Sequence, residues 1–237
     1  MNNIKYLKTI FIIILLFYGM ILNAENRYSK VPIVIGSRFG SFKIYPHVKT
    51  AKTINSKNLV RQKMDFSCGS AATATVYKYY LNDPLTENEV INGLFRFGNK
   101  RKIVENKGFS LLDIKKLSNV LGYKVNGYKL DLDSLIDLGK PAIVTITIGN
   151  YKHFVVFRGA YKGRVFLADP ALGNTILQRD KFEEMWYKNI ALIIEPRRKG
   201  INRLAISNDD KRWVSSNILR TYIFNYNAQS FRTILDH

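Results

Sequence analysis

The sequence predicts an α+β domain, with helices from its first half packed on an antiparallel sheet formed by its second half. Three observations predict it. Between Ser67 and Leu138 the chain carries helix signals: runs without proline, opened by capping residues and closed by Gly or by Asn-Asp-Pro. Between Ala142 and Ile194 it carries short runs rich in Val, Ile and Phe, separated by turns containing Gly. At 46% hydrophobic and 13% aromatic residues, a chain of 237 residues has the apolar content of one folded domain with appendages, not of a disordered polypeptide.

Residues 1–24 read as a secretory signal. Lys5 and Lys8 come without an acid, the apolar run Ile10–Leu22 is broken only by Gly19, and Ala24 supplies a small cleavage-site residue. The run is short for a bilayer span, although a retained N-terminal anchor is the alternative. In either case the body is expected to be exported, periplasmic or secreted. Residues 25–57 form an N-terminal arm. Its two apolar stretches, Val31–Ile35 and Phe42–Tyr45, carry Pro32 inside the first and Pro46 after the second. They are expected as edge strands or extended chain. A polar, basic stretch from Lys49 to Asn58 leads into the domain proper, residues 58–196.

Ser67 caps the first helix, Cys68–Leu81, whose early residues Gly69, Ser70, Ala71, Ala72 and Ala74 let it approach another layer closely. Asn82-Asp83-Pro84 ends it. Thr86 with Glu89, and Ser110 with Asp113, are capping boxes that open two more helices. The second of these closes near Leu121 with Gly122 beyond. Leu132–Leu138 is a further turn or two of helix, stopped by Gly139-Lys140-Pro141. The strands expected are Ala142–Ile148, His153–Gly159, Val165–Ala168 and Ala191–Ile194, with a helix at Lys181–Tyr187 between the last two. The strand runs are apolar on both faces, so both faces of the sheet should be covered. Residues 197–237 are a basic extension with scattered aromatics, read as a helical appendage or a tail.

Composition narrows the function. Lys and Arg number 37 against 18 Asp and Glu, a net charge of +19. That favours acidic surfaces or substrates, such as an envelope polymer. The basic residues are dispersed, and no nucleic-acid-binding signature accompanies them. The single cysteine excludes an internal disulfide and any multi-thiolate metal site. With only His47, His153 and His237 besides, neither a metal nor another cofactor is expected.

That cysteine, Cys68, has an ordinary reading as a small buried hydrophobe. Its position argues for more. It stands in the first turn of a helix, where unpaired N–H groups and the helix dipole favour the thiolate. His153 heads a strand and is the candidate base. If that strand and the next form a hairpin with loop Ala160–Lys162, Gly159 faces Gly163 and His153 faces Asp169. Asp169 would then accept from one imidazole nitrogen and leave the other for the thiol. Alone, His153 reads as strand packing and Asp169 as a turn residue before Pro170. Together with Cys68 they point to nucleophilic catalysis. Gln62, in the loop before the helix, adds an amide that with the Cys68 N–H would hold an oxyanion.

The segments Gln62-Lys63-Met64-Asp65-Phe66-Ser67-Cys68-Gly69-Ser70-Ala71-Ala72, Gly108-Phe109-Ser110-Leu111-Leu112-Asp113, Tyr151-Lys152-His153-Phe154-Val155-Val156 and Leu167-Ala168-Asp169-Pro170-Ala171-Leu172-Gly173-Asn174 resemble, in that order, the C39 family of papain-like cysteine peptidases. The resemblance runs over about residues 58–196. It implies a papain-like fold, with Cys68 as nucleophile, His153 as general acid and base, Asp169 as its orienting group and Gln62 in the oxyanion hole. It also implies cleavage after a Gly-Gly pair in the leader of a bacteriocin or pheromone precursor. Its best-known members are domains of peptide-exporting ABC transporters, where an Asp often precedes the cysteine; here Ser67 does. No membrane bundle or ATP-binding domain follows residue 196, so ATP is not an expected partner. The signal segment places the domain across the membrane from those transporter domains, nearer to stand-alone secreted members. The expected function is an exported thiol peptidase acting on a peptide or protein. The alternatives are an acyltransferase or amidase on envelope peptides, and a non-enzymatic peptide-binding module.

Overall fold

The computed structural model describes residues 55–64, 66–198 and 200–215, and within residues 1–54 the backbone of four short strands. The signal segment expected at 1–24 lies outside the described residues, as do residues 216–237. The chain divides into two compact units at residue 54. In the first, β1 (Tyr28–Lys30) pairs with β4 (His47–Lys49), and β2 (Ile33–Ser37) pairs with β3 (Gly40–Ile44). Lys30 faces His47 and Ile33 faces Ile44, so the two ladders share one register.

In the second unit all the elements are arranged around one antiparallel sheet. Its strands are β5 (Val125–Lys129), β6 (Ala142–Ile148), β7 (Tyr151–Tyr161), β8 (Arg164–Asp169), β9 (Gly173–Gln178) and β10 (Trp186–Ile194), in the order β5-β10-β6-β7-β8-β9. Alternate residues of the central strands enter opposite cores, as the two-residue strand period requires. Ile143, Phe154, Val156, Ala168, Leu192 and Ile194 pack with α1 (Cys68–Tyr79), α2 (Glu87–Phe97) and α4 (Leu111–Val120). Val144, Val155, Phe157, Leu167, Ala191 and Ile193 pack with α5 (Leu132–Asp137) and α6 (Arg179–Met185). The expected α+β class and the covered sheet are therefore observed. A short α3 (Lys100–Glu105), capped by Asn99, adds a turn that the sequence reading did not anticipate.

Helix α1 is the central one. Residues Cys68 to Tyr77 are all buried, which its run of small residues makes possible. A β-carbon on Gly69 would lie 3.2 Å from the Phe154 ring, so glycine is what lets the start of this helix sit directly against β7. Both expected capping boxes form, at Thr86–Glu89 and Ser110–Asp113. Strands β5 and β9 were not expected. They are the two edges of the sheet, and they carry mixed polar residues in place of an apolar run.

The β7–β8 hairpin corrects one expectation. The turn is Lys162-Gly163, both with positive φ, and Tyr161 faces Arg164. A bulge between Phe157 and Gly159 then shifts the register, so that Val156 faces Ala168. His153 is thus not directly opposite Asp169 but two residues farther along the strand, in a diagonal relation that an imidazole and a carboxylate can still bridge.

The bulge has a structural use. Its extra residue, Arg158, turns its guanidinium to the chain beyond the sheet, donating to the Leu204 carbonyl (2.9 Å) and pairing with Asp210 (2.8 Å) at the start of α7 (Asn208–Ser215). Leu204 is fully buried in the helix-side core, and the Arg203 amide donates to the Tyr79 carbonyl. Residues 200–215 are thereby fastened to the domain. Arg158→Ala should lower the unfolding free energy by about 2–3 kcal/mol, since it strands a half-buried Asp210 and unpairs two carbonyls. Urea unfolding should show a lower midpoint at unchanged slope. Arg158→Lys should recover only part of the loss, because an ammonium does not reproduce the planar fork.

Candidate active site

The site begins with the loop that enters α1. Ser67 occupies the cap position, but its hydroxyl does not cap the helix as the sequence reading had it. Its backbone (φ −95°, ψ 11°) is outside the extended region typical of side-chain caps, and its hydroxyl lies 2.6 Å from Glu87 Oε1 and 2.8 Å from the Met64 carbonyl. The Lys63 amide donates to the same Glu87 oxygen at 3.2 Å. Glu87, buried at the start of α2, therefore grips the loop from Lys63 to Ser67 from below. Sequence reasoning missed Glu87. It adjoins the Thr86 capping box and looks like an ordinary first-turn acid, and nothing local announces its burial.

Cys68, His153 and Asp169 lie in one chain of hydrogen bonds, all three buried. His153 Nε2 is 2.8 Å from Asp169 Oδ1. A carboxylate only accepts, so Nε2 carries the hydrogen and Nδ1 is the nitrogen left for Cys68. Asp169 is itself held in place, for Oδ1 also accepts from the amides of Ala171 (2.8 Å) and Leu172 (3.0 Å). Those two bonds turn the chain after Pro170. The Pro170 carbonyl then receives the Gln62 amide at 3.0 Å, which brings the loop carrying Gln62 to the Asp169 turn. Gln62 joins the site through this backbone bond, while its buried Oε1 meets no donor among the described residues.

The electrostatics favour an ion pair. Burial opposes the Cys68 thiolate, but the hydrogen bond and charge of His153, the Phe154 amide and Tyr151 outweigh it and hold the thiol below its ordinary value. Burial likewise opposes protonation of His153, yet the carboxylate of Asp169 and the sulfur of Cys68 raise its pKa well above the usual imidazole range. The α1 N-terminus adds partial positive charge beside the sulfur. A thiolate beside an imidazolium is a nucleophile with its proton donor already in place.

Comparison with known proteins shows the family. Residues 56–199 match the model of the Peptidase C39 family. The chain is 38% identical over 65% of its length to the probable functional amyloid protease FapD of Pseudomonas fluorescens, and covers 68% of that protein. It is 37% identical over 60% of its length to the protein of the same name from Pseudomonas aeruginosa, and covers 63% of it. The chain thus spans about two thirds of the length of these relatives. Among solved structures, the peptidase domain of Streptococcus ComA, a bi-functional ABC transporter involved in a quorum-sensing pathway, superposes with a TM-score of 0.50 at 25% identity. That likeness covers 60% of this chain and 99% of that domain. On the strength of the family match and of the two relatives, the chain belongs to the Peptidase C39 family and is a cysteine peptidase of papain-like fold.

Proposed function

We propose that this peptidase works outside the cytosol, with Cys68 as nucleophile, His153 as general acid and base, Asp169 as the group that fixes the imidazole, and Gln62 with the Cys68 N–H as the oxyanion hole. The observation that carries this reading is the buried chain of hydrogen bonds from Cys68 through His153 to Asp169. The Cys68 thiolate attacks the scissile carbonyl carbon and its electrons move onto the oxygen, where the two N–H donors receive them. As the carbonyl reforms, the C–N bond breaks and the His153 imidazolium gives its proton to the leaving amine. A thioester remains. The neutral imidazole then takes a proton from water, the hydroxide attacks the thioester, and release of the acid restores the thiolate–imidazolium pair.

The substrate we propose is a precursor or accessory protein of an exported assembly, cut next to small residues, with Gly-Gly as the first candidate. Two relatives carry the name functional amyloid protease, which supports a client in such a fibre system. The export reading rests on Lys5, Lys8 and the apolar run that follows them. The net charge of +19 suits an acidic client.

Two measurements test this. Incubated with peptides that differ only in carrying Gly-Gly, Gly-Ala or Ala-Ala at the cut, the enzyme should cleave the first fastest. Equal rates on all three would remove the small-residue requirement and leave the peptidase intact. Cys68→Ala should lose more than about 10³-fold in kcat/KM, and no loss would remove Cys68 from the mechanism. The pH profile follows from the signs of the two shifts. Activity needs Cys68 ionised and His153 protonated, so kcat/KM should be bell-shaped. Its acid limb should lie below the ordinary thiol value of about 8.5, and its alkaline limb above the ordinary imidazole value of about 6.5. Asp169→Asn removes the charge that holds the proton on His153. It should lower the rate on the order of 10²-fold or more and pull the alkaline limb down toward neutral pH.

A further inference from the structure

Among the described residues, Tyr151 acts on the Cys68 thiol besides His153 and the Phe154 amide. Tyr151 opens β7, two residues before His153 and so on the same side of the strand. Its ring stacks on the His153 imidazole, with centroids 6.2 Å apart and planes 27° from parallel. Its hydroxyl also acts on the Cys68 thiol, pulling its pKa below the ordinary value. One side chain therefore acts on both partners of the ion pair. It does so from the open side, for Tyr151 is 38% exposed while Cys68 and His153 are buried. Other charged groups nearby are otherwise engaged. Asp169 is taken up by His153 and two amides, Glu87 by Ser67 and Lys63, and the Lys152 ammonium by the Tyr187 ring and hydroxyl.

We propose that Tyr151 is a further catalytic residue, its hydroxyl donating to the Cys68 sulfur and its ring stacked on His153, so that it holds the thiolate–imidazolium pair together before substrate arrives. A donor on a thiolate stabilises the negative charge on sulfur and so increases the ionised fraction. The same bond lowers the reactivity of each thiolate, because nucleophilicity falls with basicity. The stacked ring offers the imidazolium a π face, which favours its charged form. Attack moves the negative charge from sulfur to the carbonyl oxygen, so the Tyr151 bond weakens as the new C–S bond forms. Tyr151 thereby sets how much thiolate is present near neutral pH, at some expense in its intrinsic reactivity.

This inference rests on Cys68 being the activated nucleophile, and a small symmetrical disulfide tests both separately. Cys68 attacks one sulfur of the reagent, a mixed disulfide forms and the other half leaves as thiolate. In the wild-type protein the pH midpoint of this reaction should lie below about 8.5. A wild-type midpoint at the ordinary thiol value would sink the nucleophile reading itself. Tyr151→Phe keeps the ring and removes the hydroxyl. It should raise the midpoint by about one pH unit and raise the limiting rate at high pH about threefold, as a Brønsted slope of roughly 0.4–0.5 requires. A low wild-type midpoint that Tyr151→Phe leaves in place, with the same limiting rate, would overturn the proposal for Tyr151 while leaving the peptidase reading untouched. Tyr151→Leu removes the ring as well, and should also lower the alkaline limb of peptide cleavage relative to Tyr151→Phe. If the two variants share that limb, the stacked ring does nothing for the imidazolium and that half of the proposal falls.

Discussion

A single carboxylate oxygen organises this molecule. Asp169 Oδ1 accepts three hydrogen bonds, from His153 Nε2 and from the amides of Ala171 and Leu172. The first orients the imidazole, and the other two bend the chain at the end of β8. Because of that bend the Pro170 carbonyl meets the Gln62 amide, and the Leu172 carbonyl meets the Asn55 side chain at 2.9 Å. The segment leading into α1 is thus fastened to the same turn that fastens the imidazole. Asp169 is fully buried, and an acceptor so placed is strongly bound to the donors it has, since losing one would leave charge uncompensated in a dry interior. The positions of nucleophile, base and loop are therefore coupled through one group.

How much of this could be read from the sequence depended on whether the signal was local. Capping boxes at Thr86–Glu89 and Ser110–Asp113 are local, and both form. The apolar strands β6, β7, β8 and β10 are local as well, because burial on both faces demands continuous Val, Ile and Phe. Edge strands β5 and β9 are not, for their exposed residues follow no alternation. Ser67 looked like a cap and is bound to Glu87, a residue far enough along the chain that only the packing of α2 on α1 brings them together. The hairpin register is not legible in the sequence, for a related reason. The bulge at Arg158 exists to serve Leu204 and Asp210, and nothing within β7 or β8 announces them. At the site, the residue types Cys68, His153, Asp169 and Gln62 and their spacing were readable. The bonds that position them, from Ala171, Leu172, Glu87 and Pro170, were not.

The sheet gives the site its rigidity. Strand β7 sends Phe154 and Val156 into one core and Val155 and Phe157 into the other, so neither face can move without opening close-packed side chains. His153 and Tyr151 continue that strand to its exposed end. Two groups that must meet one sulfur are thus carried on a single stiff element, while the sulfur rides on a helix whose Gly69 lies against the same strand. Such geometry favours a pre-formed ion pair over one assembled by substrate, because little conformational freedom is left to be lost on binding.

The fastening also reaches beyond the family-matched region. Asn174, at the start of β9, accepts from Arg158 through its side-chain oxygen and donates through its nitrogen to the Lys57 carbonyl. Asn58 donates in turn to the Arg203 carbonyl at 2.7 Å. The approach to Gln62, the turn after Asp169 and the segment around Leu204 therefore share partners, and each supplies groups that another needs. Residues 200–215 satisfy Arg158, whose bulge sets the register between His153 and Asp169. A change in that segment can reach the imidazole without touching it, through the strand that carries both Arg158 at the bulge and His153 at the site.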